Sequence, residues 1–325
     1  SSIIMAAPTI ITIGKATQDV FVKSSKSFKQ LVTKGVVYDQ LPVGQKLDLE
    51  EVIFATGGNV TNAAVTFARQ GLQSRYMWCI GTDVASEAIL QSLDRDGVDT
   101  KHVMQKDDYH ASYSLILMLA GGERTILNYK GTKLPSNTRD LDFSVIESGD
   151  WLYLSALGDM ELLEKIITRA AKHGVKVMLN PAGAELKEAA KLRTLLEDVE
   201  ILAVNKEEAQ QIVSGQSMEE LVRHAQHYCP VVIVSDGPHG AVATDGKTIV
   251  EAGMYEDVSV IDRTGGGDAF GSGFLSQWAQ GKTLKEAMVF ASANSTSVVT
   301  KIGAKEGILH AGTVLHDMPI KEREF

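Results

Sequence analysis

The feature that most narrows the fold is a hydrophobic period that switches repeatedly through the second half of the chain. Residues 151–154, 175–179 and 201–204 are apolar runs of strand length, and 161–173 and 186–196 between them carry helical spacing. Strand, helix, strand, helix, strand in that order implies right-handed crossovers and a parallel sheet covered on both faces. Residues 9–13, ending at Gly14, and 231–234 are further buried strands of the same kind. The expected fold class is therefore α/β, a doubly wound, mostly parallel sheet. Ligands of such sheets bind beyond the carboxyl ends of the strands, where Asp19, Asn205, Glu208 and residues 235–240 follow in this chain.

Two stretches break the alternation. Residues 112–119 and 124–129 are strand-like and joined across Gly121-Gly122 with no helix between, the pattern of a hairpin that leaves the parallel core. Residues 20–53 are too long for a strand-to-helix connection, and insertions of that length usually carry function. Composition bounds the rest. At 325 residues, 44% hydrophobic and 22% charged, the chain has an ordinary globular make-up and can bury a substantial core. A net charge of -9 with no basic block argues against an electrostatically driven nucleic-acid binder. Cys79 and Cys229 lack ligand-like neighbours and read as small buried apolar residues. The longest apolar runs, such as 115–120, are too short to span a bilayer and no signal-peptide pattern is evident, so a cytoplasmic protein is expected.

Chemistry concentrates in Asp262-Arg263-Thr264-Gly265-Gly266-Gly267-Asp268. A β-type run, 258–261, precedes it. Phe270, Phe274 and Trp278 follow at helical spacing, so the expected order is strand, glycine turn, helix. Three glycines leave no Cβ in the way of an incoming group, and the first amides of a helix have no partners inside it. Such amides bind anions, phosphate above all. Asp268 adds a carboxylate where negative charge gathers, as a base for phosphoryl transfer to a hydroxyl requires. Taken alone, Gly-Gly-Gly-Asp is also an ordinary capped loop. The rival glycine codes fail: a dinucleotide fingerprint from Gly265 meets Phe270 where its third glycine belongs, and a P-loop ending at Gly281-Lys282-Thr283 meets Ser276.

These residues resemble the signature Asp-Thr-Thr-Gly-Ala-Gly-Asp-Ala-Phe of the ribokinase or phosphofructokinase-B group of carbohydrate and nucleoside kinases, with Arg263 and Gly266 as departures. A second motif, Gly57-Gly58-Asn59-Val60-Thr61-Asn62, matches that group's Gly-Gly-x-x-x-Asn at Gly57, Gly58 and Asn62. Asn59 stands where ribokinases proper tend to have Lys. The resemblance implies one ribokinase-like domain, 1–325, with a small discontinuous β-sheet lid from about 18–54 and 106–134. It places Asp19, Gly57, Gly58, Asn59 and Asn62 on the acceptor and makes Asp268 the base, with Gly265, Gly266 and Gly267 as the anion hole. It puts Asn205, Ser235, Gly237, Gly240, Thr264, Gly267 and Ser292 on ATP. Asn205 and Glu208 would serve Mg²⁺ through water, and Asp262, Thr264, Val298, Lys301, Gly303 and Gly307 a monovalent cation such as K⁺.

The expected activity is transfer of the γ-phosphoryl group of ATP to a hydroxyl of a sugar or sugar-like molecule. A nucleoside acceptor, and a silent sensor that keeps the fold without the chemistry, are the alternatives; a nicotinamide dehydrogenase is disfavoured by the missing fingerprint. Arg124 either reaches a phosphorylated or acidic acceptor or is a solvated strand charge. An exposed sheet edge in the lid invites a second copy, hence a homodimer.

Overall fold

The structure is a computed structural model that describes residues 6–119, 123–133, 141–253, 259–315 and 317–325. A nine-stranded sheet forms its centre. In spatial order its strands are Ile320–Glu324, Thr248–Ala252, Ala241–Thr244, Val231–Ser235, Ile201–Asn205, Lys176–Asn180, Trp151–Ser155, Thr9–Ile13 and Gln73–Met77. The last six run parallel, as the alternating pattern requires, and the first three add antiparallel at one edge. Parallel strands covered on both faces carry near-continuous apolar runs. Trp151–Ser155 and Thr9–Ile13 are accordingly buried at every position.

The hairpin leaves this sheet as expected. Ser112–Met118 pairs with Arg124–Tyr129, and Thr17–Lys23 joins the other side of Ser112–Met118 and pairs in turn with Glu51–Gly57. These four strands form a separate lid sheet. The Gly121-Gly122 turn lies outside the described residues. Within the long insertion, Lys29–Thr33 and Val36–Gln40 make an exposed two-stranded hairpin of their own. Strand Glu51–Gly57 runs directly into helix Asn59–Arg69 through Gly58. That helix ends at Gly71 (φ 82°), where Leu72 N–H donates back to Phe67 O at 3.0 Å.

One expectation is corrected. Residues 259–261 form no strand before the glycine turn; Val258 lies outside the described residues. Instead the amides of Ile261 and Asp262 both donate to the Val299 carbonyl at the end of helix Leu284–Val299, 2.9 and 3.1 Å away. Asp19, which follows the first strand, lies within lid strand Thr17–Lys23, opposite Ala55 and Ser114. Among the described residues Cys79 and Cys229 are buried and neither forms a disulfide. Among the described residues no helix is long and apolar enough to cross a membrane.

Candidate active site

The glycine turn is held from three sides. The Asp262 carboxylate accepts from the Thr264 amide (3.0 Å), the Thr264 hydroxyl (2.7 Å) and the Gly303 amide (3.0 Å). It is also ion-paired with Arg124 of the lid. Gly265 then takes a left-handed conformation (φ 79°), and a Cβ there would lie 2.6 Å from that of Ala304. This reversal starts helix Gly266–Trp278 with its first amides at the cleft. One of the three expected glycine amides is not available: Gly266 N–H turns back to the Arg263 carbonyl at 3.3 Å. Those of Gly265, Gly267 and Asp268 have no acceptor among the described residues. A Cβ on Gly267 would meet nothing within 4 Å, so that backbone is open to the cavity.

Asp268 occupies the first turn of the helix and is the meeting point of both sequence motifs. Asn62 Nδ2 donates to its Oδ2 at 3.1 Å. Asn59, with its amide nitrogen turned to the carboxylate, donates to both oxygens at 3.3 and 3.2 Å and accepts from Ser155 Oγ at 3.0 Å. Burial pushes the Asp268 carboxyl up to about 6, while the Asn62 hydrogen bond and the Lys305 charge pull it back down. A carboxylate so raised is a better base than an ordinary aspartate and is still ionised at neutral pH.

In lid strand Thr17–Lys23 Asp19 is buried, and desolvation raises its carboxyl against the opposing charge of Lys305. Its Oδ2 comes so near Gly57 that a Cβ there would be 2.4 Å away. Gly58 (φ 101°) caps helix Asn59–Arg69, and its missing Cβ would fall 2.5 Å from Lys15 O. Both glycines of the second motif are therefore required by close approach, not only by turn geometry.

Beyond Asp268 two cavities adjoin. One, of about 250 Å³, is lined by Asn180, Asn205, Glu208, Ser235, Gly267 and Asp268 among others. The second, of about 200 Å³, shares Ser235 and Gly267 and adds Gly237, Gly240, Arg263 and Ser295. Asn205 caps helix Lys206–Ile212 in a reciprocal box: Asn205 N–H donates to Glu208 Oε1 at 2.9 Å, and Glu208 N–H to Asn205 Oδ1 at 2.8 Å. The local reading of an Asn cap is thus present together with the cavity position. Glu208 Oε2 keeps no protein donor among the described residues. Burial raises the Glu208 carboxyl. An oxygen of this kind reached through water suits Mg²⁺.

Other expected residues are not brought to the site. Ser292 is buried with an unpartnered hydroxyl and lines neither cavity; Ser295, one turn further along helix Leu284–Val299, lines the second. Several of the residues expected around a monovalent cation have protein partners. Val298 is buried and its carbonyl accepts from the Lys301 amide at 3.2 Å, while Lys301 itself is exposed. Gly303 donates its amide to Asp262 at 3.0 Å. Gly307 is pressed against the Ser297 carbonyl, 2.3 Å from where its Cβ would be. Asp262 already carries the guanidinium of Arg124, which corrects the reading of Arg124 as a solvated charge. His239 is exposed on its loop. The residue that sequence reasoning missed altogether is Lys305, a lone lysine in a loop with no flanking signal.

The profile of the pfkB family carbohydrate kinases matches residues 33–311, and the chain belongs to that family. A ribokinase of Haemophilus influenzae is 27% identical over 275 residues, covering 82% of this chain and 88% of its own. A cytidine kinase of Thermococcus kodakarensis is 28% identical over 261 residues, covering 77% and 88%. Among solved structures, Arabidopsis thaliana ribokinase complexed with ribose and ATP superposes with a TM-score of 0.74 at 20% identity, over 94% of this chain and 96% of that one. The ribokinase-like fold and the class, a carbohydrate kinase, follow.

Proposed function

We propose that this protein transfers the γ-phosphoryl group of ATP to a hydroxyl of a sugar or sugar-like small molecule in the cytoplasm. The observation that carries the reading is the placement of Asp268. Its carboxylate takes hydrogen bonds from the acceptor-side amides of Asn59 and Asn62, and its own backbone amide and that of Gly267 lie free at the start of a helix. Asp19, Gly57, Gly58, Asn59 and Asn62 orient the acceptor. Ser235, Gly237 and Gly240 face the nucleotide, whereas Thr264 gives both its amide and its hydroxyl to Asp262 and lines neither cavity.

The acceptor oxygen bonds to the γ-phosphorus as the bond from that phosphorus to the bridging oxygen of ADP breaks, and Asp268 takes the hydroxyl proton. The free amides of Gly265, Gly267 and Asp268 hold the charge gathering on the migrating group. Asn205 and Glu208 would hold Mg²⁺ through water, and the ion would neutralise phosphate charge. Asp262 braces the turn through its ion pair with Arg124. The lid excludes water over the acceptor, and two copies associate through it.

Ribokinase and cytidine kinase relatives are about equally similar, so the acceptor is set by experiment. ADP release is measured with ATP and Mg²⁺ against a panel of sugars, sugar phosphates and nucleosides. Acceptor-dependent ADP release with a sugar is expected; ligand binding without ADP release would make the protein a sensor, and turnover with nucleosides alone would move the acceptor class.

A further inference from the structure

Lys305 is a cation placed where cations are rarely found, 8% exposed in the loop that follows helix Leu284–Val299. Its ammonium has three donors, and all three are used by the protein. They go to the Thr56 carbonyl (2.9 Å), the Thr61 hydroxyl (3.1 Å) and Asn62 Oδ1 (2.7 Å). None is left for a ligand, so Lys305 does not contact the acceptor. Nor does any carboxylate pair with it directly among the described residues: burial pulls its ammonium down to about 7, while Asp19, Asp268 and Asp96 hold the charge on it from further away and Arg69 opposes them.

What lies between Lys305 and Asp268 is a single side chain. Asn62 accepts from Lys305 through its oxygen and donates to Asp268 through its nitrogen. The reversed amide would set N–H against ammonium and oxygen against carboxylate, so the charge pair leaves one orientation. The loop is itself fixed: Arg69 Nη1 donates to the Lys305 carbonyl at 2.7 Å while its Nε is tied to Asp96 at 2.8 Å. The neighbouring Ala304 is the residue against which Gly265 packs.

We propose that Lys305 is a positioning residue of the phosphotransfer site, which locks the Asn62 amide toward the Asp268 carboxylate and supplies the positive charge that keeps that carboxylate ionised. This rests on the kinase reading above, so one readout is independent of activity. The Asp268 side-chain carboxyl is followed by NMR with ¹³Cγ-labelled aspartate, its signal assigned by its loss in Asp268→Asn. In Lys305→Met its titration is expected to move up by about one unit or more, the usual effect of removing a nearby opposite charge. In Lys305→Gln, which keeps a donor for Asn62 but no charge, the shift is smaller.

Kinetically, Lys305→Met is expected to lose about 10- to 100-fold in kcat, a share of the general-base effect, with the KM for ATP unchanged. Lys305→Gln recovers part of that loss above pH 8, where ionisation of Asp268 no longer depends on the charge. Adding Lys305→Met to Asn62→Ala is expected to cost less than Lys305→Met costs alone. If Lys305→Met does not fold, Lys305→Gln carries the titration. An Asp268 titration unmoved in the folded variants overturns the assignment, as does a loss of kcat equally large in Lys305→Gln and Lys305→Met at every pH. A wild-type chain that phosphorylates nothing overturns the kinase reading and leaves the NMR result to decide the role of Lys305.

Discussion

Asp268 is held in a state the fold itself disfavours. Its carboxyl lies at about 6 against an ordinary 3.8 because desolvation outweighs the help from Asn62 and Lys305. The folded value is raised above the unfolded one. Ionised Asp268 therefore costs stability in full above pH 6, in part between 3.8 and 6, and not at all below. Asp268→Asn is accordingly expected to stabilise the fold at pH 8 by roughly 1–3 kcal/mol, with the gain vanishing below pH 4, as denaturant titrations at both pH values will read. The same variant should bind ATP and lose about 10²- to 10⁴-fold in kcat, the range for loss of a general base. Wild-type turnover in it would remove Asp268 from the chemistry. In the wild type, kcat/KM is expected to fall as the pH drops through about 6, where the base becomes protonated.

At the scale of the element, the glycine turn divides its three residues by what each missing Cβ would meet. Gly265 is left-handed and pressed on Ala304, Gly266 would come within 3.2 Å of Val299, and Gly267 faces open space. Gly265→Ala is therefore expected to lower stability by more than 1 kcal/mol, the penalty for alanine at positive φ where space is also lacking. Gly267→Ala should melt like the wild type yet lose turnover, since its methyl would stand where phosphate is to bind. Thermal melts beside initial rates separate the two, and unchanged turnover in Gly267→Ala would place the anion elsewhere.

This turn was also the most legible part of the sequence, because its constraint is local: consecutive glycines, an acidic residue and a helix. The same holds for Gly57, Gly58 and Asn62. What was not legible depends on residues far apart in the chain. Arg124 meets Asp262 across 138 residues and Lys305 meets Asn62 across 243, and neither spacing carries a period. Ser292 and Ser295 stand one helical turn apart, an ambiguity that the run of small residues from Ala291 to Ser297 does not resolve. The run 258–261 has strand composition, but Val260 and Ile261 are exposed and no neighbouring strand offers itself to residues 259–261.

For the molecule as a whole, the lid sheet is the part left unfinished. Phe54 is 71% exposed, and Leu127 and Tyr129 on the opposite edge strand are also more than half exposed. Apolar side chains on edge strands are what a second copy would cover. Phe54→Asp with Leu127→Asp is expected to convert a dimer into a monomer in light scattering. A wild-type chain that is monomeric at micromolar concentration would refute the lid interface. The lid strand Glu51–Gly57 and the helix carrying Asn59 and Asn62 meet at Gly58 with no linker between them. The two halves of the proposed acceptor site are thereby divided along the chain. Side chains before that boundary are free to diverge, whereas those after it are committed to the base. A lineage built on this plan can acquire new substrates by editing a few strand positions while inheriting its chemistry intact.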